Sequence, residues 1–236
     1  HTPPSELDGM AIAGTTPNGH LDMNRVLDWE VGQIVEALKA AGAYENTLLI
    51  FSSDNGGLWD VVAEESGYRA NGGFAGNKNS PLEGGHRVPL IAVWPDVIQP
   101  GSRTDTLING TDFLATFAAI AKVPLGQQQA MDSYSFLPLL LGDGAFQPRT
   151  SICLQAGSQC ELMYREGPWK LIIQSNFELS KWEMIGLYNL EENPKEAPSR
   201  NRLNDSTQRE RAESMYRRYR KIRDSGERTV SLSRLR

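Results

Sequence analysis

The sequence has few cysteines, no long apolar run and no excess of positive charge. Its 236 residues include two cysteines, Cys153 and Cys160, which are compatible with one disulfide or two free thiols and leave the compartment open. No apolar run approaches the roughly 20 residues that a membrane-spanning helix needs, and the net charge of −5 argues against nucleic acid as a partner. The first residues, HTPP, contain neither a basic nor an apolar segment, so we expect no signal peptide there.

The first 145 residues have the pattern of an α/β domain. Residues 21–41 are predicted to form a helix that Gly42 ends, and residues 111–122 a second helix. The predicted buried face of the first helix consists of Leu27, Val31, Ile34, Val35 and Leu38. Residues 47–53 form a continuous apolar run, typical of a strand buried on both faces, and a further strand is predicted at 88–94. This order predicts part of a central, mostly parallel sheet flanked by helices.

Residues 146–236 have a different character, and a segment with Gly and Pro near 142–148 precedes them. Closely spaced short strands predict a small antiparallel sheet, at 151–155, 161–165, 169–174 and 186–189. A last helix is predicted at 206–222. We therefore divide the chain into an α/β portion, 1–145, and a small α+β subdomain, 146–236.

The first strand is followed directly by Asp54, Asn55 and two glycines. Ligands bind at the carboxyl ends of strands in open α/β sheets, and carboxylate and amide oxygens suit Ca²⁺ or Mg²⁺. Taken alone, this segment would also fit a turn with local side-chain hydrogen bonds. Lys78 lies in the following loop, which is rich in Gly and Asn. It is either a solvated surface charge or a cation that reaches the same crevice and holds an anionic group.

Several segments, taken in order, resemble sulfatases, in particular the C-terminal half of an arylsulfatase-like member of the alkaline phosphatase superfamily. Residues 46–57, NTLLIFSSDNGG, resemble the strand and metal motif of that family. Lys78 followed by residues 83–89, EGGHRVP, resembles the lysine and the E-G-G-x-R-x-P signature. His1-Thr2-Pro3 resembles a His-x-Pro stretch whose histidine touches the sulfate, and residues 169–172 and 187–194 resemble the C-terminal subdomain.

The resemblance implies roles for individual residues. Asp54 and Asn55 would be metal ligands, with Ca²⁺ favoured over Mg²⁺. Lys78 and His1 would bind the sulfate and take part in catalysis. Glu83 and Arg87 would brace the loop, and His86, at the variable position of the signature, would be structural or solvent-exposed. The 1–145 portion would be the C-terminal part of the sulfatase catalytic domain.

The family also requires residues that this chain lacks. Its nucleophile is a formylglycine made from Cys or Ser in a C/S-x-P/A-x-R motif, and neither Cys153 nor Cys160 lies in such a motif. Further calcium aspartates normally lie near the N-terminus of the family. We therefore expect an N-terminal half to be the partner of this chain, and the chain alone to be inactive. The implied substrate is a sulfated small molecule or glycan, in a periplasmic, secreted or lysosomal setting.

Two other functions are compatible with these motifs. One is a phosphonate or phosphodiester hydrolase of the same superfamily, which shares the metal-and-lysine crevice. The other is a non-catalytic homologue that binds sulfated glycans. The upstream nucleophile motif would separate the enzymes from the binding protein.

Overall fold

A computed structural model describes residues 2–126, 128–144, 146–157 and 160–226. The helices in this part of the chain are α1 (Gly19–Ala40), α2 (Val61–Glu65), α3 (Glu83–His86), α4 (Asp112–Ile120), α5 (Leu137–Leu140) and α6 (Arg209–Ser225). The strands are β1 (Glu6–Leu7), β2 (Met10–Ala11), β3 (Leu49–Ser52), β4 (Leu90–Val93), β5 (Ser151–Gln155), β6 (Glu161–Glu166), β7 (Trp169–Ser175) and β8 (Trp182–Asn189). Short 3₁₀ turns lie at Pro198–Arg200 and Ser206–Gln208.

Helix α1 begins where the side chain of Asn18 accepts a hydrogen bond from the backbone N–H of Leu21. Its buried residues are Leu21, Asp22 and Val26. The predicted buried face was wrong in part, because Leu27 is 42% and Ile34 is 51% exposed. Periodicity identifies an apolar stripe but not the element that covers it, and within the described residues that part of the stripe is not fully covered.

Strands β3 and β4 form a two-stranded antiparallel pair, with Leu49 opposite Val93 and Ser52 opposite Leu90. These two strands therefore do not form the mostly parallel sheet that was predicted from them. A continuous apolar run indicates burial but carries no information on pairing direction. No residue of either strand is fully buried, although such apolar sequences are typical of strands covered on both faces.

The four strands β5 to β8 form an antiparallel sheet in sequence order, which confirms the predicted small sheet. One face packs against α6, in a core of Leu162, Tyr164, Leu171, Ile173, Leu187, Ala212, Met215 and Tyr219. The other face carries Ile152, Met163, Ile172, Tyr188 and Leu190, against which Leu82 and Leu107 from the first portion are packed. Because both faces are covered, consecutive apolar residues occupy the middle of β6 (162–164) and of β7 (171–173).

The two cysteines are free thiols. None of the helices in the described ranges combines the length and the apolar composition that crossing a membrane requires.

A buried ion pair fastens α4 to the segments that follow it. Asp112 accepts hydrogen bonds from the backbone N–H groups of Asn109 and Tyr134, each at 2.8 Å, and from the Arg149 guanidinium. Arg149 also lies over the Tyr134 ring, 4.5 Å from its centroid. The carboxylate therefore satisfies three donors from separate parts of the chain.

We expect Asp112→Asn to lower the free energy of unfolding by about 3 kcal/mol, because Arg149 would remain buried without its counter-charge. Urea denaturation measures this change, and Asp96→Asn at an exposed position is the matched control. Equal stability of the two variants would contradict a stabilising role for the pair.

Candidate functional site

Asp54 and Asn55 lie just beyond the end of β3, where the chain turns away from the sheet. Asp54 is exposed and Asn55 is half-buried. The Asn55 amide nitrogen donates to the carbonyl of Gly56 at 3.0 Å, and the Ser53 hydroxyl donates to the carbonyl of Asn55 at 3.0 Å. These local bonds hold the loop, and they involve the amide nitrogen of Asn55 rather than its side-chain oxygen.

The loop after β3 contacts the signature segment backbone to backbone. The N–H of Gly56 donates to the carbonyl of Gly85 at 2.9 Å. A Cβ atom on Gly56 would lie 1.8 Å from the carbonyl oxygen of Gly84, which is far below van der Waals contact. Gly84 is equally confined, because a Cβ there would lie 2.3 Å from the carbonyl oxygen of Gly76. Glycine is therefore required at these positions for the two loops to meet.

Lys78 is joined to the same loop through its backbone. Its N–H donates to the carbonyl of Gly57 at 3.0 Å, so the main chain at Lys78 lies beside the segment that bears Asp54 and Asn55. Its side chain is exposed. The other predicted sulfate-binding residue, His1, lies outside the described residues.

A crevice of about 760 Å³ opens at this end of β3. Asp54, Asn55 and Asn79 form part of one wall, and Gln155 and Arg165 of the C-terminal sheet form part of another. Lys78 is not among the residues that line it, although its neighbour Asn79 is. The structure thus brings the two predicted metal ligands into one cavity and places the predicted lysine at its margin.

The signature residue Glu83 is 1% exposed and forms the centre of a buried charged cluster. Its carboxylate lies 3.0 Å from the Lys170 ammonium and 3.3 Å from the Arg87 guanidinium. Lys170 also lies 2.8 Å from the carboxylate of Glu196. Burial, the largest effect, tends to raise the pKa of the Glu83 carboxyl, but attraction to Lys170, the hydrogen bond from Lys170 and smaller effects of neighbouring basic groups together outweigh it, so the pKa is lowered.

His86 is part of the same cluster. Burial, together with the positive charge of Lys170, lowers the pKa of the His86 imidazole from 6.5 to about 4. The ring is therefore neutral at pH 7. Because an ammonium has only donors, the Nε2 atom of His86 accepts from Lys170 Nζ at 3.0 Å. Of the two alternatives predicted for His86, the geometry favours the structural one.

Sequence reasoning gave no role to Lys170 or Glu196, which complete this cluster. Lys170 sits between apolar residues in β7, and a charge within a buried strand signals a buried partner. Glu196 had no comparable signal, because its turn reads as a solvated, charged segment.

We expect Gly56→Ala to lower the free energy of unfolding by about 3 kcal/mol or more, because the new methyl group would overlap the Gly84 carbonyl. Gly32→Ala is the control. Gly32 lies within α1 with nothing within 4 Å of the added methyl, so alanine there should stabilise by about 1 kcal/mol. Chemical denaturation of both variants checks the difference. A neutral effect of Gly56→Ala would mean that the loops do not approach this closely.

We expect the protein to lose stability as the pH falls from 6.5 to 4, the ordinary and folded pKa values of His86. Over this range the unfolded chain binds a proton at His86 that the folded chain does not, so the free energy of unfolding decreases, by up to about 3 kcal/mol. His86→Gln should flatten this part of the pH profile in thermal denaturation. The parent protein, measured under the same conditions, is the reference. An unchanged slope in His86→Gln would contradict the assignment.

Comparison with known proteins identifies the family. The sulfatase family model matches residues 14–123, and the model for the C-terminal region of N-sulphoglucosamine sulphohydrolase matches residues 77–225. The second match alone covers more than half of the chain, and it includes the signature segment and the whole antiparallel sheet.

Individual relatives agree with the family models. The chain is 34% identical to an N-acetylgalactosamine-6-O-sulfatase of Bacteroides thetaiotaomicron over 185 residues, which is 72% of the chain and 36% of the relative. It is 36% identical to human arylsulfatase A over 157 residues, or 64% of the chain and 29% of that enzyme. The chain therefore spans about a third of the length of these curated relatives.

A solved structure supports the same assignment at the level of the fold. It comes from work on the metabolism of multiple glycosaminoglycans by Bacteroides thetaiotaomicron and matches with a TM-score of 0.77 at 28% identity. The match covers 89% of this chain and 46% of that one. On the combined sequence and structural matches, this chain belongs to the sulfatase family.

Proposed function

We propose that this chain is the C-terminal half of a sulfuric ester hydrolase, and that it supplies part of a cation site and part of a sulfate-binding site. The observation that carries this proposal is the position of Asp54 and Asn55, at the end of a strand and in the wall of a 760 Å³ crevice. A crevice of this size accommodates a sulfated small molecule or the end of a glycan. Family membership supports sulfate ester hydrolysis as the reaction class.

Asp54 and Asn55 have the oxygen ligands that a hard cation prefers, but two residues are too few to hold it. A carboxylate and an amide oxygen suit Ca²⁺, which takes six to eight oxygen ligands, and suit Mg²⁺ less well because that ion demands near-ideal octahedral geometry. The described residues contain no cluster of three or more acidic, His or Cys side chains that could hold a metal. We therefore propose that Asp54 and Asn55 complete a calcium site whose other ligands lie outside this chain.

The remaining residues would act on the sulfate group. When bound, Ca²⁺ supplies positive charge for the sulfate oxygens, and a formylglycine from outside this chain supplies the nucleophile. Lys78, whose backbone is fixed beside Gly57, would turn its ammonium into the crevice and neutralise a sulfate oxygen. We propose that His1 contacts the same group. Catalysis would then depend on both halves, so this chain alone would be inactive.

The exposed apolar surface supports an N-terminal half of the same protein as the partner. Neither strand of the β3–β4 pair has a fully buried residue, and Ile91 is 56% exposed. An isolated two-stranded ribbon is marginal in water, and such an apolar surface is typical of an interface. We propose that upstream strands extend this pair into the mostly parallel sheet, in which an antiparallel edge is common. Residues 1–145 would belong to that catalytic domain and 146–236 to the subdomain. By family resemblance, the setting would be periplasmic, secreted or lysosomal.

The full-length protein tests this proposal. We expect it to hydrolyse an aryl sulfate and to bind Ca²⁺ in calorimetry. Asp54→Ala should abolish most of the calcium binding, and Lys78→Ala should reduce kcat about 100-fold, because each removes charge that stabilises the sulfate in the transition state. Lys181→Ala, at an exposed position just before β8, is the matched control and should leave both quantities unchanged.

Other outcomes would identify the alternatives. Preferential hydrolysis of the matching aryl phosphate would indicate a phosphodiester or phosphonate hydrolase instead. Binding of a sulfated glycan without turnover would indicate a non-catalytic homologue. Equal activity of Lys78→Ala and the parent protein would exclude Lys78 from the site.

A further inference from the structure

Lys170 is fully buried and faces two buried carboxylates. Its Nζ atom lies 3.0 Å from Oε1 of Glu83 and 2.8 Å from Oε1 of Glu196, and both carboxylates are almost inaccessible to solvent. The third neighbour is Nε2 of His86, at 3.0 Å. The contacts with Glu83 and His86 are hydrogen bonds, whereas the contact with Glu196 is an ion pair without hydrogen-bond geometry.

This cluster, formed by Glu83, His86, Lys170 and Glu196, joins three separate stretches of the chain. Lys170 belongs to β7, Glu83 begins α3, and Glu196 lies in the turn that follows β8. Glu196 has a φ of +49°, a conformation that residues other than glycine rarely adopt. Its Oε2 atom also accepts from the backbone N–H of Glu83 at 2.5 Å. Glu196 therefore contacts both the main chain of Glu83 and the ammonium that faces its carboxylate.

The main chain transmits the position of Glu83 to the loop after β3. Glu83 is followed by Gly84 and Gly85, and the carbonyl of Gly85 accepts from the N–H of Gly56 at 2.9 Å. The N–H of Gly84 donates to the carbonyl of Ala75 at 2.7 Å. No side chain intervenes that could change its rotamer to absorb a shift, so a displacement of Glu83 displaces Gly56.

We propose that Lys170 is a positioning residue for the cation site, acting through Glu83 and the Gly84–Gly85 backbone to fix the Asp54–Asn55 loop. This inference rests on the proposed function. The inference goes beyond the proposed function because it assigns part of the site's geometry to the antiparallel sheet, which contributes neither Asp54 nor Asn55. Without the ammonium, two buried carboxylates would face each other, and their repulsion would separate the sheet from the signature segment.

Replacing Lys170 by methionine removes the charge and nearly retains the length of the side chain. In the full-length protein, at a temperature where circular dichroism shows it to be folded, we expect Lys170→Met to weaken Ca²⁺ binding about 10- to 100-fold, as is typical when a group that orients metal ligands is lost. The exchange of the Gly56 amide hydrogen should accelerate in the same variant. Lys181→Met is the matched control, since it removes an exposed lysine.

Glu196→Gln provides a second variant that retains the contact between Lys170 and Glu83. It should weaken Ca²⁺ binding in the same direction but less, and it decides the question if Lys170→Met does not fold. A purely stabilising role would lower the unfolding temperature of both variants and leave the Ca²⁺ dissociation constant of the folded protein within twofold of the parent, which would overturn the proposal.

Failure of the proposed function gives a different result. If the parent protein itself does not bind Ca²⁺, the proposed cation site does not exist. Gly56 amide exchange would then still test the coupling between Lys170 and the loop. Unchanged Gly56 exchange in the folded variants would show that no such coupling exists.

Discussion

The buried ion cluster around Lys170 is the interaction on which the arrangement of this chain depends. It connects the antiparallel sheet to the signature segment through Glu83, and removal of one member of such a cluster typically costs about 3–5 kcal/mol because an unpaired charge stays buried. Burial at this point is possible because the carboxylates of Glu83 and Glu196 face the ammonium and His86 is neutral. The signature glutamate thus has a structural basis for its place in the motif.

Close contacts between glycines position the wall of the crevice relative to this cluster. Gly56 and Gly84 approach so closely that neither tolerates a Cβ atom, so the loop that bears Asp54 and Asn55 packs directly against the signature segment. The crevice is consequently bounded by residues from both portions of the chain, with Asn55 on one side and Arg165 on another. The two portions share one cavity because the Glu83–Lys170 ion pair joins the sheet to the signature segment, and backbone hydrogen bonds join that segment to the loop after β3.

The β3–β4 ribbon and the proposed cation site lie in the same region, and each needs further residues. The β3–β4 ribbon is apolar but not buried, and in the calcium site that we propose Asp54 and Asn55 supply only two of the six or more ligands that Ca²⁺ takes. Additional strands at this edge would cover the apolar ribbon, and their side chains would provide further ligands. For this reason we propose that a single additional segment supplies both the other ligands and the sheet neighbours.

Local periodicity and short residue patterns were enough to predict helices α1, α4 and α6, the antiparallel sheet and the motifs that identify the family. The sequence also placed Asp54 and Asn55 at a strand end. Tertiary structure alone decided the antiparallel pairing of β3 with β4, the partial exposure of α1 and the contact of Lys170 with Glu83 and Glu196. Each of these depends on which distant segments meet, and neither an apolar run nor a lone charge specifies its partner.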